Sequence, residues 1–302
     1  MNYLSIRRLS VVALTASVIT LGSCGGNEKK GEGEDMNDST AVDTAQVEAP
    51  KTNVFYSIPS PIQLGKLLQK AGATYDKKLL NSTENVSKYS TKFNKALNLG
   101  VYGADMSYSA IFGQTQEVMN YLDCSKKIAD ELGASGAYAS SVIDRLKKNV
   151  NNKDSLLNMI SDIFMNSNET FKESEQMNTY LLSISGGFIE GLYVGTQLTK
   201  TIKDNDAIVT RIAELKGSLN NLVALLSTQE SDADIMNILT DLKDIKSIYD
   251  EMQMDNTQAT VKEDAAKNTI TIGGTSKYTL SKEQLEKITT KAEALRKKIT
   301  NQ

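Results

Sequence analysis

Two acids stand where a helix would ordinarily present apolar or small side chains. Asp105 lies in the stretch VYGADMSYSAIF at 101–112, and Glu190 lies in GGFIEGLYVG at 186–195. At three-four spacing Asp105 neighbours Val101, Tyr102, Ser109 and Phe112, while Glu190 neighbours Gly186, Gly187, Tyr193 and Val194. A carboxylate on a partly apolar face loses hydration, so either its pKa rises or it finds a cation or a donor. If the two helices touch, the pair makes a carboxylate site for a metal or a ligand. If they do not, each acid emerges at the surface or meets a lysine or a tyrosine hydroxyl.

The remaining chemistry is thin. Histidine is absent, which excludes histidine triads, Cys-His dyads, His-ligated zinc and histidine-held haem. It also removes the Glu-x-x-His pairs of di-iron bundles. An enzyme on this chain would work with carboxylates, Lys, Tyr or Ser, which lowers the expectation of hydrolase or redox chemistry and calls for no cofactor. The two cysteines are Cys24 and Cys124. Cys124 reads as a core residue near a helix end, with only Lys126 and Lys127 nearby to support a reactive thiolate. Tyr102, Tyr108, Tyr121, Tyr180 and Tyr193 fall at helical spacings that suit a core edge, with a pocket lining as the other reading. The Asn-x-Ser/Thr triplets at Asn37, Asn81, Asn85 and Asn168 are given no weight.

These side chains must be positioned by helices. The 302 residues include no tryptophan and three prolines, a composition that favours helix over β-sandwich. Net charge is -3, or -5 once Arg7 and Arg8 are taken away with a leader. Basic residues are mostly lysines interspersed with acids, so no stripe suits a phosphate backbone and no nucleic-acid partner is expected.

The N-terminus reads MNYLSIRRLSVVALTASVITLGSCGG. Arg7 and Arg8 form a basic start, and Leu9 to Leu21 form an apolar run of secretory length, too short for a membrane span. It closes in Leu21-Gly22-Ser23-Cys24, which resembles the lipobox of bacterial lipoproteins. That resemblance implies export, lipid transfer to the Cys24 thiol, cleavage before Cys24 and acylation of the new amine. The anchor is then the membrane itself, and Gly25, which is not the aspartate of inner-membrane retention, favours the outer membrane. From Gly25 to Asn53 the chain is polar and Gly/Glu/Asp-rich, which reads as a flexible stalk. Asp38-Ser39-Thr40 and Asp43-Thr44-Ala45 resemble the O-glycosylation triplets of Bacteroidota, with Ser39 and Thr44 as acceptors. Lipobox, acidic stalk and triplets together resemble envelope lipoproteins of that phylum. The expected organisation is a signal peptide at 1–23, a lipidated cysteine and stalk at 24–53, and a helical domain at 54–302.

Within that domain Ser60-Pro61-Ile62-Gln63 reads as a capped helix start, with the short helix closing near Gly72. Apolar stripes at three-four spacing run from Leu97 to Leu122, Leu181 to Ile202, Ile208 to Leu226, Ile235 to Met252 and Leu285 to Ile299. The last opens with Ser281 and Gln284, a capping box, and 156–171 is helical with a less regular stripe. Thr269-Ile270-Thr271-Ile272, Gly273-Gly274 and Lys277-Tyr278-Thr279-Leu280 predict a small β-hairpin near 269–280. The fold class is mainly α, an antiparallel helical bundle with that hairpin.

Glycines locate the tightest packing. Gly187, Gly191 and Gly195 line one side of a helix, although each costs about 1 kcal/mol against alanine. Ala96, Gly100, Gly103, Ser107 and Ala110 make a second small-residue face, so the helices around 93–122 and 180–202 are expected to pack closely. Glu190 near the middle of 180–198 argues against a membrane span there. The preferred function is a non-enzymatic binding or scaffold module in the envelope, recognising a protein partner or a small ligand. The alternatives are a metal-binding protein or enzyme using Asp105 and Glu190, and a helical subunit of a transport or assembly complex. Replacing Cys24→Ser should abolish lipid labelling and move the protein from the membrane to the soluble fraction. Unchanged membrane retention without lipid would refute the anchor.

Overall fold

A computed structural model of the chain describes residues 65–66, 69–70, 72–202, 205–256, 260–264, 269–273 and 276–300. All belong to the compact unit that spans 52–302. The leader, Cys24, the stalk with Ser39 and Thr44, and the expected helix start at Ser60-Pro61 lie outside the described residues. The protein is mainly helical. Helices α1 (Lys92–Ile111), α2 (Thr115–Leu132), α3 (Ser140–Lys148), α4 (Lys153–Glu173) and α5 (Met177–Thr201) precede α6 (Asp206–Ser227), α7 (Ala233–Asp250) and α8 (Lys282–Thr300). Short 3-10 turns occupy Lys77–Leu79, Thr83–Lys88 and Ser135–Tyr138.

Helix starts follow from side-chain oxygens that take up free main-chain N–H groups. Thr91 accepts from the Asn94 amide at 3.1 Å, and Asn152 accepts from that of Ser155 at 3.0 Å. Asp232 accepts from both Asp234 and Ile235, each at 3.0 Å. Ser281 and Gln284 exchange reciprocal bonds at 3.0 and 3.1 Å at the start of α8. Gly133, in the left-handed conformation at φ 85°, ends α2.

The apolar stripe from Leu97 to Leu122 belongs to two helices rather than one. Gly113, at φ 71°, turns the chain between α1 and α2, and the Gln114 amide closes the turn on Ser109 O at 2.8 Å. The three-four count passes through Thr115 unbroken, which conceals the turn in the sequence. Helix α3 and the Ser135–Tyr138 turn, unassigned from periodicity, complete this half.

The strands also pair differently from the expected 269–280 hairpin. β1 (Gln253–Asn256) pairs antiparallel with β4 (Ser276–Thr279), and β2 (Thr260–Asp264) pairs antiparallel with β3 (Thr269–Gly273). Ile272 stands opposite Val261 and Lys277 opposite Asp255, so the strands flanking Gly273 face partners upstream rather than each other. A turn at 273–274 would leave the arm 253–264 without a ladder, whereas this register serves main-chain groups on both arms.

Helix α5 packs against α1, α4, α6, α7 and α8. That central position explains why it is apolar or small nearly all the way round. Among the described residues, no helix is long and apolar enough to cross a membrane. Its closest neighbour is α1. A methyl placed on Gly100 would overlap Ser183 O and lie 2.6 Å from the Gly187 nitrogen, so main chain meets main chain there. One placed on Gly186 would overlap Leu97 O and lie 2.8 Å from its carbon. Gly103 is turned elsewhere: its added methyl would meet only the Phe164 ring of α4, at 3.6 Å.

Gly100→Ala should therefore lose at least about 3 kcal/mol in chemical denaturation, because the obstacle is backbone that cannot change rotamer. Gly103→Ala should stay within about 1 kcal/mol of wild type, since ordinary contact and better helix propensity offset each other. Equal losses at both positions would contradict this account of the α1–α5 contact.

Candidate functional site

The close approach of α1 and α5 carries Asp105 and Glu190 into the interior together. Both are 0% exposed, and their carboxyl groups lie near enough for each to act directly on the other. Arg296 of α8, itself 4% exposed, completes the group. Its Nε donates to Glu190 Oε2 at 3.1 Å and its Nη2 donates to Glu190 Oε1 at 3.4 Å, a two-pronged grip on one carboxylate. Nη2 also donates to Leu79 O at 3.3 Å, and the guanidinium carbon sits 4.8 Å from the centre of the Tyr193 ring.

Asp105 is held less completely. Its Oδ2 accepts the Asn81 main-chain N–H at 3.0 Å, while no N–H or hydroxyl donates to Oδ1. Burial pushes its pKa well above the usual carboxylate range, and the adjacent Glu190 pushes it further; Arg296 and the Asn81 amide pull the other way. Glu190 is also raised by burial, with Arg296 opposing. Burial is the largest single influence on Arg296 and lowers its pKa, but Glu190 together with Asp105 and Tyr193 more than offsets it, so the guanidinium stays protonated.

Around these three groups runs a polar layer that ties the 77–91 segment to α1, α2 and α8. The Asn81 amide donates to Tyr89 Oη at 2.9 Å and to Asn98 Oδ1 at 3.3 Å, and its own Oδ1 accepts from Asn85 at 2.9 Å. Asn98 donates to Ile299 O at 2.7 Å, and Tyr121 donates to Asn81 O at 3.1 Å. Buried amides are tolerated here because nearly every donor and acceptor finds a partner.

The other sequence candidates separate into two groups. Gly100 and Gly187 meet at the α1–α5 contact, with Gly186 and Leu97 as a second contact that the spacing argument did not select. Ala96, Ser107, Ala110 and Gly195 are buried, Gly191 is half-buried, and Gly103 faces Phe164. The hydroxyls of Tyr102, Tyr108 and Tyr121 reach main-chain carbonyls of Ser82, Thr74 and Asn81 instead of lining a shared pocket. Cys124 is buried, with its thiol donating to Thr83 O at 3.7 Å, and burial pushes its pKa up to about 11. It is therefore a protonated core thiol at neutral pH.

No motif or spacing in the sequence singles out Arg296. Its signal was faint: it is the sole arginine in a helix of lysines, set between Leu295 and Ile299 at the flank of the apolar stripe. Among the described residues, no group of three or more His, Cys, Asp or Glu is arranged to hold a metal ion. The cation beside Glu190 is supplied by the chain itself.

No protein-family model matches the chain, and no curated protein or solved structure matches it either. The geometry therefore stands on its own chemistry. Breaking a buried ion pair from one side leaves the other charge uncompensated, which costs roughly 3–5 kcal/mol. Glu190→Gln and Arg296→Met should each lose about that much in urea denaturation. Lys298→Met, which removes the exposed 2.6 Å pair with Asp241, should lose under about 1 kcal/mol because solvent screens it.

Proposed function

We propose that this chain is a lipid-anchored envelope lipoprotein whose helical domain serves as a non-enzymatic binding or scaffold module. Its anchor is Cys24, in the lipobox Leu21-Gly22-Ser23-Cys24, and the outer membrane is the favoured location. The observation that carries the non-enzymatic part is the sealing of Asp105 and Glu190. The residues best suited to chemistry are enclosed at 0% exposure and Glu190 is gripped by Arg296, where a substrate would have to displace an internal ion pair. Such an arrangement acts as a clasp between helices.

We read α8 as antiparallel to α5 and α7, with support from pairs that run in opposite senses. Helices α1 and α5 instead run in the same sense, Gly100 meeting Gly187 as Asp105 meets Glu190, so the expected all-antiparallel bundle does not extend to that pair. Along α5 and α8, Gln197 meets Glu293 while Glu190 meets Arg296. Along α7 and α8, Asp241 meets Lys298 while Asp244 meets Lys291. A bundle clasped in this way keeps its outer faces in place for an envelope partner. The exposed large apolar side chains among the described residues are Met165 and Met236, on different helices, so recognition by the rest of that surface would be mainly polar.

Complementation of a deletion strain under envelope stress tests this reading. Asp105→Asn should restore wild-type fitness if the protein accumulates normally, whereas Cys24→Ser should fail at equal abundance. A folded, abundant Asp105→Asn protein that cannot complement would give the acid pair a direct chemical role and overturn the proposal.

A further inference from the structure

Three fully or nearly fully buried ionisable groups share one small volume, and their charges do not balance unless a proton is counted. With both acids ionised, two negative charges would face one guanidinium, leaving an excess charge in a medium that solvates it poorly. Two neighbouring carboxyl groups can share a hydrogen bond only if one of them carries a proton. The atoms decide which one. Both Glu190 oxygens accept from Arg296, and Asp105 Oδ2 accepts from the Asn81 amide, which leaves Asp105 Oδ1 without a donor.

We propose that Asp105 and Glu190 form an internal binding site for a single proton, carried on Asp105 Oδ1 and shared with the Glu190 carboxylate that Arg296 holds. Occupied, the site is electrically neutral. Release delivers the proton to solvent and leaves two carboxylates against one arginine, so the clasp between α1, α5 and α8 weakens as the proton departs. The site lies within residues 81–296 and is independent of any anchor at Cys24.

Other titratable groups facing Asp105 do not compete for this proton. Tyr75 from the preceding segment, Tyr121 and Cys124 from α2 and Tyr102 on α1 are all pushed upward by burial. Tyr89 and Tyr193, which face Glu190 and Arg296, are likewise raised by burial. All six stay neutral while Asp105 titrates. The upward direction found for Asp105 agrees with the bonding pattern. Because its folded pKa exceeds its unfolded value, its contribution to stability is complete below about pH 4 and is lost as pH rises through the folded value. Glu190, raised in the same direction, adds to this trend.

Infrared spectroscopy of the full-length protein should show the carbonyl stretch of a buried protonated carboxyl at neutral pH. That band should be missing in Asp105→Asn, whose amide N–H replaces the donated proton without adding charge. In denaturation across pH, the wild-type folding constant should fall by up to tenfold per pH unit per proton above about pH 4. Asp105→Asn should have a slope shallower by one proton. A wild-type protein without the band at neutral pH overturns the proposal, and that result needs no variant. A folded Asp105→Asn protein that keeps the wild-type pH slope overturns it as well.

Discussion

The contact of two bare backbones organises this protein. At Gly100 and Gly186 the main chains of α1 and α5 leave no room for even a methyl group. Helices separated by ordinary side chains pack about 8–10 Å apart, axis to axis, and backbones that touch must come closer than packed side chains would allow. Asp105 lies five residues beyond Gly100 and Glu190 lies four beyond Gly186. Short carboxyl side chains can meet across the interface because their helices already do. The loss of helix propensity at the glycines is offset by dispersion contact along the interface and by placement of the acids.

Burying the acids then dictates much of what surrounds them. A carboxyl pair inside a core needs a cation and donors, and the donors come from distant parts of the chain. Arg296 arrives on α8, while the Asn81 amide arrives on an irregular segment between 3-10 turns. The same segment supplies Leu79 O to Arg296 and Asn81 O to Tyr121. An irregular stretch buried against helices must satisfy its own main-chain groups, and this one does so by bonding to the charged cluster's neighbours. Polar satisfaction and helix packing are therefore one construction.

Much of the helical framework was legible because amphipathic stripes report burial directly. Helices α6, α7 and α8 follow the stripes at 208–226, 235–252 and 285–299, and the Ser281–Gln284 box marks its helix start to the residue. The break at Gly113 was hidden because periodicity counts side-chain directions and is blind to a three-residue turn, 112–114, that preserves phase. The strands pair otherwise than the expected hairpin because a glycine pair between alternating residues is only a local signal, while the partners at 253–264 lie upstream with little alternation. The acids stood out against apolar neighbours. Their arginine did not, since a basic residue in a lysine-rich amphipathic helix ordinarily marks the solvent side, and Asn81 and Asn98 carry no spacing that distinguishes a buried amide from a loop residue.

The bond between Arg296 and Leu79 O joins residues 217 positions apart, and the one to Glu190 spans 106. During synthesis, α1 and α5 emerge long before the helix that neutralises their acids. Until α8 arrives, closing the two helices would strand carboxyl groups in a dry interior, so the early chain favours hydrated, open conformations. Assembly of the centre thereby waits for α8. A centre whose neutralising charge follows its acids by more than a hundred residues leaves α1 and α5 pliable in the interval.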